Sequence, residues 1–486
     1  MSTIATTVGN TDRSSQEESG SRGFPVTLAS LATFLICLYG FVGPTRPRPD
    51  PDTWWHLRTG QLILETGLLP STDSFSWTAT GRAWVPHEWL SQVAFAKALD
   101  VFGPASLLVL NGLAIGFALL ILLFTVRRLD ADPWTIAVSL GIAIAFSTIT
   151  WTVRPHVFSV LLMSTFLYLL VCYQGGHLMR HIWWIVPLTV LWANLHGVFV
   201  AGLVLLWIFA GFQLRRGAGK ELAVVAVVAT AAGTLNPNGV GAFGYPLHVA
   251  RVSVDILEWE PPGLRDAYGA GFILCVIGVL SLFAWSKQRP NDALFCSGLI
   301  FALMGMAAVK NIWIAGLVLA ALLASGLASG GLPRPEMAQR IERIVVITLA
   351  GVATMAALLY TTSNLTATDS ELLGEAGFPV AAVRALNELP PGDVINHYNW
   401  GGYLIWAAPR YRVSIDGRND MYGTELLEDV RTLRLLRPGW DEFLTRPNVR
   451  YVLWPRDGAL SQAMALLDGW ELVYGDHQAV LYQRVD

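Results

Sequence analysis

Long apolar stretches separated by short polar segments occupy most of the first 362 residues of the chain. An α-helix needs about 20 apolar residues to cross a membrane. The pattern therefore predicts about eleven membrane spans, several of them shorter than that length. The predicted spans lie near residues 25–44, 104–126, 134–151, 156–174, 182–195, 198–214, 221–235, 268–286, 293–309, 311–329 and 342–362.

The basic residues between these stretches fall in alternate short loops. Cytoplasmic loops of membrane proteins carry an excess of Lys and Arg, so this alternation predicts which side each loop faces. The polar N-terminal tail (1–24) is interpreted as disordered and cytoplasmic. With eleven spans, the first long loop (45–103) and the C-terminal region (363–486) then face the exterior. The basic loops are marked by Arg127, Arg180, Arg215, Lys287 and Arg334.

Composition supports a polytopic membrane protein and argues against other classes. Of the 486 residues, 53% are hydrophobic and only 14% are charged, whereas soluble proteins carry about 25% charged residues. The near-neutral balance, a net charge of −3, argues against a nucleic-acid partner. All four cysteines lie within apolar stretches, where we expect them to pack rather than to form disulfides or bind zinc.

Residues 363–486 have the composition of a soluble domain. Strand-like and helix-like segments alternate there, which predicts a small exterior α/β domain. The predicted strands lie at 393–396, 412–416, 449–454 and 473–483, and the predicted helices at 379–389, 424–436 and 459–468. Two polar motifs stand out, 399–403 (NWGGY) and 416–420 (DGRND). Asp416 ends a predicted strand, where it is either a turn cap or part of a site.

The most unusual polar stretch is residues 49–56 (PDPDTWWH), directly after the first span. Pro49 and Pro51 stiffen the chain and disfavour the α region for the residues before them, which predicts an extended segment. Residues two apart in an extended chain lie roughly 6–7 Å from each other. Asp50 and Asp52 are therefore candidates to share one substrate or a divalent metal ion such as Mg²⁺ or Mn²⁺.

Two interpretations of this stretch stay open. One is a catalytic Asp-x-Asp at the membrane surface, with Asp52 and His56 on one helical face if a helix begins near Thr53. The other is a capped helix at the membrane interface, anchored by Trp54 and Trp55, with Asp52 or Thr53 as its N-cap.

His87 and Glu88 begin a further predicted helix of the first loop. They form either a polar edge held by packing or a second acid/base pair that faces the two aspartates. The pair is not part of an H-E-x-x-H metal motif, because Leu90 and Ser91 follow Trp89.

Four other polar side chains interrupt apolar surroundings. Arg154 and His156 flank a proline at a corner between two spans, as a snorkelling Arg with a solvated His or as a cationic pair that binds phosphate. His196 lies in an apolar stretch, where a histidine is costly enough to indicate function unless Asn194 satisfies it. Lys310 is either a turn residue or a further phosphate ligand.

The chain resembles the GT-C superfamily of integral-membrane glycosyltransferases, which use lipid-phosphate-linked sugars, and more closely a bacterial branch of membrane proteins. The resemblance rests on 50–57 (DPDTWWHL), 86–90 (PHEWL), 154–156 (RPH), 192–197 (WANLHG), 399–404 (NWGGYL) and 415–418 (IDGR). It implies a GT-C-like multispan fold, an acidic catalytic residue in the first exterior loop and often an exterior C-terminal domain. Carried over, Asp50 or Asp52 is the catalytic carboxylate.

The resemblance also implies a chemistry and a location, the bacterial inner membrane. A carboxylate base activates an acceptor hydroxyl of a glycan, lipid or protein, and direct attack on a polyprenyl-phosphate sugar inverts the anomeric carbon. Cationic groups or a metal ion stabilise the leaving phosphate. The expected acid/base residues are Asp50, Asp52, His56, His87 and Glu88, and the expected substrate contacts are Arg154, His156, His196, Lys310, Trp54 and Trp55. Two alternatives stay open, a transporter or channel and a catalytically silent scaffold.

Overall fold

The computed structural model of the protein describes residues 27–252, 257–285, 291–327, 339–366 and 377–485. The predicted N-terminal tail lies outside these residues. The helices of the first part are α1 (Leu28–Val42), α2 (Pro51–Thr66), α3 (Trp89–Phe102), α4 (Ala105–Arg128), α5 (Pro133–Ser147), α6 (His156–Gln174), α7 (Ile185–Leu195), α8 (Phe199–Arg215), α9 (Lys220–Ala232), α10 (Gly241–Val252), α11 (Ala267–Trp285), α12 (Asp292–Ala307), α13 (Ile312–Gly326) and α14 (Gln339–Leu365).

The protein is a polytopic helical membrane protein, but the number of spans differs from the expectation. Each of the eleven predicted stretches falls on a helix, yet only seven helices of the described residues are long and apolar enough to cross a membrane. The other four, α7, α8, α9 and α12, have 11 to 17 residues. The count of eleven is therefore not confirmed.

Helix α13 lies at the centre of the helical part. It packs against α5 and α12, and 78% of the apolar stretch Val309–Gly326 is buried. Small residues permit this close packing: a Cβ on Gly316 would lie 2.7 Å from Cβ of Phe146, and one on Gly298 would lie 2.6 Å from Cδ2 of Leu322. By contrast, only 6% of the most apolar part of α14 is buried, so this helix lies at the periphery beside α1.

The C-terminal part is a five-stranded sheet with short helices. Its strands are β1 (Asp393–Asn396), β2 (Arg412–Val413), β3 (Val449–Pro455), β4 (Trp470–Gly475) and β5 (Ala479–Arg484), and its helices are α15 (Val380–Asn387), α16 (Gly401–Ala407), α17 (Asn419–Leu435) and α18 (Ala459–Met464). The strand order is β2-β1-β3-β5-β4. β1 is parallel to β2 and β3, whereas β5 is antiparallel to β3 and β4.

Two local predictions need correction. The predicted strand 473–483 is two antiparallel strands, because Asp476 makes a turn in which Oδ1 accepts hydrogen bonds of 2.8 Å from the amides of Gln478 and Ala479. The sequence of residues 74–78 and 82–85 predicts a small hairpin in the first loop, but the structure has only an isolated antiparallel bridge there, from Thr72 to Ala83.

The first loop and the C-terminal sheet share one hydrophobic core instead of forming separate bodies. Trp54, Trp55 and Trp84 pack in the same cluster as the buried side chains of β1 and β3. The backbone amide of Trp77 donates to the carbonyl of Val413 over 3.0 Å, and its indole Nε1 donates to the carbonyl of Val394 over 3.0 Å. The C-terminal domain is thereby fixed against the start of α2, where the candidate site lies.

Candidate functional site

Asp50 acts as the N-cap of helix α2. Its backbone is extended (φ −139°, ψ 123°), and its Oδ1 accepts a 2.9 Å hydrogen bond from the amide of Asp52. Pro51 is the first helical residue, a position that needs no amide donor and suits its fixed φ. The extended segment therefore ends at Asp50, and Asp52 lies in the first turn of α2, not in an extended chain as predicted.

The carboxylate of Asp52 is held by two donors. Arg154 Nη2 lies 2.6 Å from Oδ2, and the indole Nε1 of Trp55 donates to Oδ1 over 3.1 Å. The side chain of Asp52 is 16% exposed. Burial raises the pKa of Asp52 to about 7, although Arg154 acts to lower it. A carboxyl with a pKa near neutrality is well suited to accept a proton.

Arg154 connects three carboxylates. Besides Asp52, its Nη1 lies 3.7 Å from Oδ2 of Asp50 and 3.4 Å from Oε2 of Glu258. Burial acts to lower the pKa of Arg154, but the carboxylates hold it well above its usual value. Lys310 completes this group, because its Nζ lies 3.9 Å from Oε1 of Glu258 and 3.6 Å from the centre of the Trp259 ring. Arg154 is thus engaged by acids, whereas Lys310 has no closer acidic partner within the described residues.

Glu88 lies at the centre of a second cluster, formed with three histidines. Its Oε1 is 3.3 Å from Nε2 of both His87 and His196, and its Oε2 is 3.5 Å from Nε2 of His56. Burial acts to raise the pKa of Glu88, but the histidines hold it well below its usual value. Burial also lowers the pKa of His56 to about 3. The carboxylate is therefore ionised while His56 is neutral.

The hydrogen bonds around the cluster specify the tautomers. Gln92 Nε2 lies 3.2 Å from Nδ1 of His56, so this nitrogen accepts and the Nε2 of His56 carries the proton that faces Glu88. Ser159 Oγ lies 2.6 Å from Nδ1 of His196 and accepts from Trp192 Nε1, which is compatible with the same tautomer for His196. Nδ1 of His87 is buried without a hydrogen-bond partner.

Asn194 does not satisfy His196, which was the alternative to a function for this histidine. Its Oδ1 accepts from Trp89 Nε1 over 2.7 Å, and its Nδ2 donates to the carbonyls of Val190 and Leu235, both over 2.8 Å. Asn194 therefore joins α3, α7 and the end of α9, while Ser159 and Glu88 hold His196.

A cavity of about 340 Å³ brings both clusters together. Nine of the eleven residues expected from the sequence line it: Asp52, Trp55, His56, His87, Glu88, Arg154, His156, His196 and Lys310. The apolar part of the lining comes from α8, α10, α12 and α13, with Val198, Val200, Ala201, Val204, Leu247, Met304 and Ile314. The cavity is therefore amphiphilic, since charged groups and apolar helix surfaces line the same space.

Asp50 and Trp54 do not line this cavity. Trp54 is fully buried and packs edge-on against Phe378 and Tyr403, with ring centres 5.3 and 4.8 Å away. It anchors α2 to the C-terminal domain, so the expected substrate contact of Trp54 is corrected to a packing role. Trp151, just before Arg154 in the chain, is also fully buried.

Several lining residues were not predicted as site residues. Glu258 belongs to a polar cluster after α10, and Tyr245 lies within α10. Asn419 and Asp420 come from the DGRND motif, which was noted in the sequence without a role, and Tyr398 precedes the NWGGY motif by one residue. The signal in the sequence was the cluster of polar residues at the end of a strand, but nothing there indicated that it faces α2.

A second cavity of about 670 Å³ lies beside the first. Both are lined by Asp52, Arg154, Glu258 and Tyr398. Beyond these shared residues the second cavity is bordered by α17, through Thr424, Leu427, Glu428, Arg431 and Arg434, and by His397 and Asn399. Asp52 therefore stands between an amphiphilic cavity and a more polar one.

The residues at Asp50 and Asp52 do not form a metal site in this arrangement. No group of three His, Cys, Asp or Glu side chains suited to a metal ion occurs in the described ranges. The guanidinium of Arg154 lies between the carboxylates, where a divalent cation would have to bind. The metal ion therefore remains a prediction from the sequence, and a chelation experiment tests it.

The chain is similar in structure to known proteins although its sequence matches no family model and no curated protein significantly. ArnT from Cupriavidus metallidurans bound to undecaprenyl phosphate superposes with a TM-score of 0.54 at 12% identity, over 94% of this chain and 97% of that chain. Both ArnT and the oligosaccharyltransferase described next are GT-C glycosyltransferases.

The archaeal oligosaccharyltransferase from Archaeoglobus fulgidus, tethered with an acceptor peptide containing the NVT sequon, superposes with a TM-score of 0.56 at 14% identity, over 94% of this chain and 74% of that chain. Its apo form gives 0.56 and 14%, over 90% and 70%. The fold is GT-C-like. At these identities the likeness concerns the GT-C-like fold alone, and the chemistry has to be argued from the cavity.

Proposed function

We propose that the protein is a membrane glycosyltransferase that moves a sugar from a polyprenyl-phosphate donor to an acceptor hydroxyl. The observation that carries this proposal is the amphiphilic cavity, whose apolar wall of helices α8, α10, α12 and α13 continues into a group of charged side chains. A polyprenyl-phosphate sugar has the same division into an apolar chain and a polar head. The GT-C-like fold supports this assignment.

Asp52 is the proposed general base. Its carboxylate, in the first turn of α2, is one of the two acidic groups that line both cavities, the other being Glu258, and its pKa is raised to about 7. An acceptor hydroxyl in the second cavity donates its proton to Asp52 as its oxygen attacks the anomeric carbon. The C–O bond to the phosphate breaks on the opposite side, so the configuration inverts. Asp50 supports this base by fixing the first turn of α2.

Lys310 is the group we expect to contact the leaving phosphate. Its ammonium has three donors, lies against Trp259 and keeps only a distant contact with Glu258. Arg154 lines the same cavity, but its guanidinium is already paired with the carboxylates of Asp52 and Glu258. His156 lines the same cavity, and its ring centre lies 4.4 Å from that of His196. Loss of one such donor typically costs about 10²–10³ in rate.

His87 and Glu88 form the proposed second acid/base pair, supported by His56 and His196. Glu88 accepts from Nε2 of the histidines, so Nδ1 of His87 is the one ring nitrogen of these three without a partner. A histidine that donates from one ring nitrogen to a carboxylate can accept a hydrogen bond from a sugar hydroxyl through the other nitrogen. We propose that this pair orients the donor sugar beside Asp52, with Trp55 covering its other side.

The partners follow from the two cavities. The donor is a polyprenyl-phosphate sugar, the acceptor is a glycan, lipid or protein hydroxyl, and membrane lipids surround the helices. We propose the bacterial inner membrane as the location, with both cavities on the exterior side. Impermeant labelling of a cysteine placed at position 70 or 457 tests this orientation, because protection in intact cells would contradict it.

The alternatives predict different behaviour of the purified protein. A transporter or channel needs a pathway between the two sides, whereas the charged groups described here converge on one end of the helical part. Detergent-purified protein is supplied with undecaprenyl phosphates that each carry one radiolabelled hexose or pentose. Release or transfer of the label supports the enzyme. A protein that binds these lipids without turnover of any of them would be a silent scaffold, and flux without turnover in vesicles would indicate a transporter.

A further inference from the structure

The DGRND motif of the C-terminal domain reaches the candidate base directly. A Cβ placed on Gly417 would overlap Oδ1 of Asp52 and would lie 3.2 Å from Nε1 of Trp55. The backbone of Gly417 therefore lies against the same carboxylate oxygen that Trp55 holds. Only glycine leaves room for the carboxylate in its position between Trp55 and Arg154.

The loop that carries Gly417 is fixed by a buried network. Arg418 binds the carboxylate of Asp416 with two donors, Nε to Oδ1 over 2.8 Å and Nη2 to Oδ2 over 2.7 Å. Its Nη1 donates to Oδ1 of Asp73 in the first loop over 2.7 Å. The side chains of Arg418, Asp416 and Asp73 are all 0% exposed.

Aromatic rings and a hydroxyl complete this network. The guanidinium of Arg418 lies over the rings of Trp84 and Phe75, 4.7 and 5.0 Å from their centres. The hydroxyl of Tyr422 donates to Oδ2 of Asp416 over 2.5 Å. Buried ion pairs with this many partners are costly to break. The loop is thus held from both the C-terminal domain and the first loop.

Two further glycines let the C-terminal domain pack against the turn that carries the base. A Cβ on Gly402 would overlap the carbonyl oxygen of Pro51, and one on Gly401 would overlap the carbonyl oxygen of Ile415. These glycines belong to the NWGGY motif, and they allow α16 to lie directly against the first turn of α2 and against the strand end before Asp416. The two C-terminal motifs therefore surround one target, the turn that carries Asp52.

We infer that the Asp416-Gly417-Arg418 loop is a positioning element for Asp52, so that the C-terminal domain is part of the active site. This inference rests on the proposed function, because it assigns the loop a role through the proposed base. A displacement of about 1 Å at a reacting group can cost 10²-fold in rate. The loop sets the distance of Asp52 from the acceptor hydroxyl without touching substrate itself.

Gly417→Ala tests this inference because a side-chain rotation is enough to relieve the overlap that the added methyl group creates. The atom in the way is the end of the Asp52 side chain, so the protein relieves the overlap by rotating this carboxylate away from Trp55 and Arg154. We expect kcat to fall about 10²-fold while KM for the lipid donor stays close to wild type. The unfolding temperature should fall modestly, as in Asp52→Asn, because Trp55 and Arg154 lose their contacts with Asp52. The rising limb of the pH profile should move to higher pH, since Arg154 no longer lowers the pKa of Asp52.

Gly392→Ala is the matched control in the same domain. Its Cβ would lie 2.8 Å from Cδ and 2.9 Å from Cβ of the exposed Arg450, so an added methyl group is crowded by a side chain there too, but away from Asp52. The double variant Asp52→Asn/Gly417→Ala distinguishes positioning from general damage. If Gly417 acts through Asp52, the double variant is no slower than Asp52→Asn alone.

Different results would contradict the proposed function, the assignment of the base and the positioning role of the loop. All rates are measured with the undecaprenyl-phosphate sugar that the wild type turns over best. No turnover of any such lipid by the wild type overturns the proposed function, and an active Asp52→Asn overturns the assignment of the base. An inactive Asp52→Asn together with a Gly417→Ala of wild-type kcat overturns the positioning role alone. A double variant much slower than Asp52→Asn also overturns it.

Discussion

The replacement of Asp52 by Asn separates catalysis from structure. The amide keeps the shape of the carboxylate but has one acceptor atom, whereas Trp55 Nε1 and Arg154 Nη2 each donate to a different oxygen of Asp52. One donor therefore loses its partner, which costs about 1–3 kcal/mol of folding free energy. Arg154 keeps Asp50 and Glu258, so no cation is left without an acid.

The expected loss of activity is larger than the loss of stability. Removal of a general base typically lowers the rate by about 10²–10⁴, which corresponds to about 3–5 kcal/mol of activation free energy. Transfer of radiolabelled sugar from the undecaprenyl phosphate is measured at saturating donor, together with thermal unfolding in detergent. A folded Asp52→Asn protein with wild-type transfer would refute the reasoning that makes Asp52 the base.

Asp50→Asn is the matched variant two residues away. Asn caps a helix about as well as Asp, so the hydrogen bond to the amide of Asp52 is retained. The lost charge lies 3.7 Å from Arg154, farther than the 2.6 Å contact of Asp52. We expect a loss of activity of less than about tenfold, well below that of Asp52→Asn. Equal losses in the two variants would mean that the aspartates act as one unit, as the sequence first indicated.

Four further outcomes are expected. Transfer should rise with pH through about 7, because Asp52 must lose its proton to act as a base. The raised pKa of Asp52 also means that its contribution to stability is largest below about pH 4 and declines as pH rises to 7. The difference in unfolding free energy between wild type and Asp52→Asn, measured across this range, tests this. Lys310→Gln should lower kcat by about 10²–10³ with little change in unfolding temperature, and an unchanged kcat would remove Lys310 from the phosphate contact. Glu88→Gln leaves one acceptor oxygen for three histidine donors, so it should destabilise the protein by about 1–3 kcal/mol per unpaired histidine in thermal unfolding, whereas a wild-type stability would contradict the described cluster. Incubation with EDTA followed by transfer assays tests the metal ion, and we expect retained activity because Arg154 occupies its place, so that loss restored by Mg²⁺ or Mn²⁺ would contradict this arrangement.

The parts of the fold that depend on local pattern were predictable from the sequence. Membrane helices follow from apolar length, and the C-terminal strands follow from β-branched runs bounded by turn residues. The span count was less certain, because helices such as α7 and α9 are too short to be judged by length and are positioned by their neighbours. The strand 473–483 was misjudged because the turn residues Gly475 and Asp476 lie between two apolar segments that together fit one long strand, whereas the Asp476 side chain makes a turn there.

The site was predictable in its residue types but not in its partners. A buried His, Glu or Arg is costly without compensation, which is why the sequence pointed to Glu88, His196 and Arg154. Their compensating groups lie far away in the chain, such as Glu258 for Arg154 and Ser159 for His196. No spacing rule relates such residues, because tertiary packing brings them together.

The two interpretations of the PDPD stretch describe different residues of it. A cap must lie just before the first helical residue, with its carboxylate turned back to the amides, and Asp50 does this because Pro51 forces it into an extended conformation. Asp52 then lies inside the first turn, where its own amide is already satisfied and its carboxylate projects away from the helix axis toward Arg154. One proline thus assigns the structural role to the first acid and leaves the second acid for chemistry. The same geometry explains why Gly417 has to face Asp52 and not Asp50, since the carboxylate that projects outward is the one a neighbouring backbone can position.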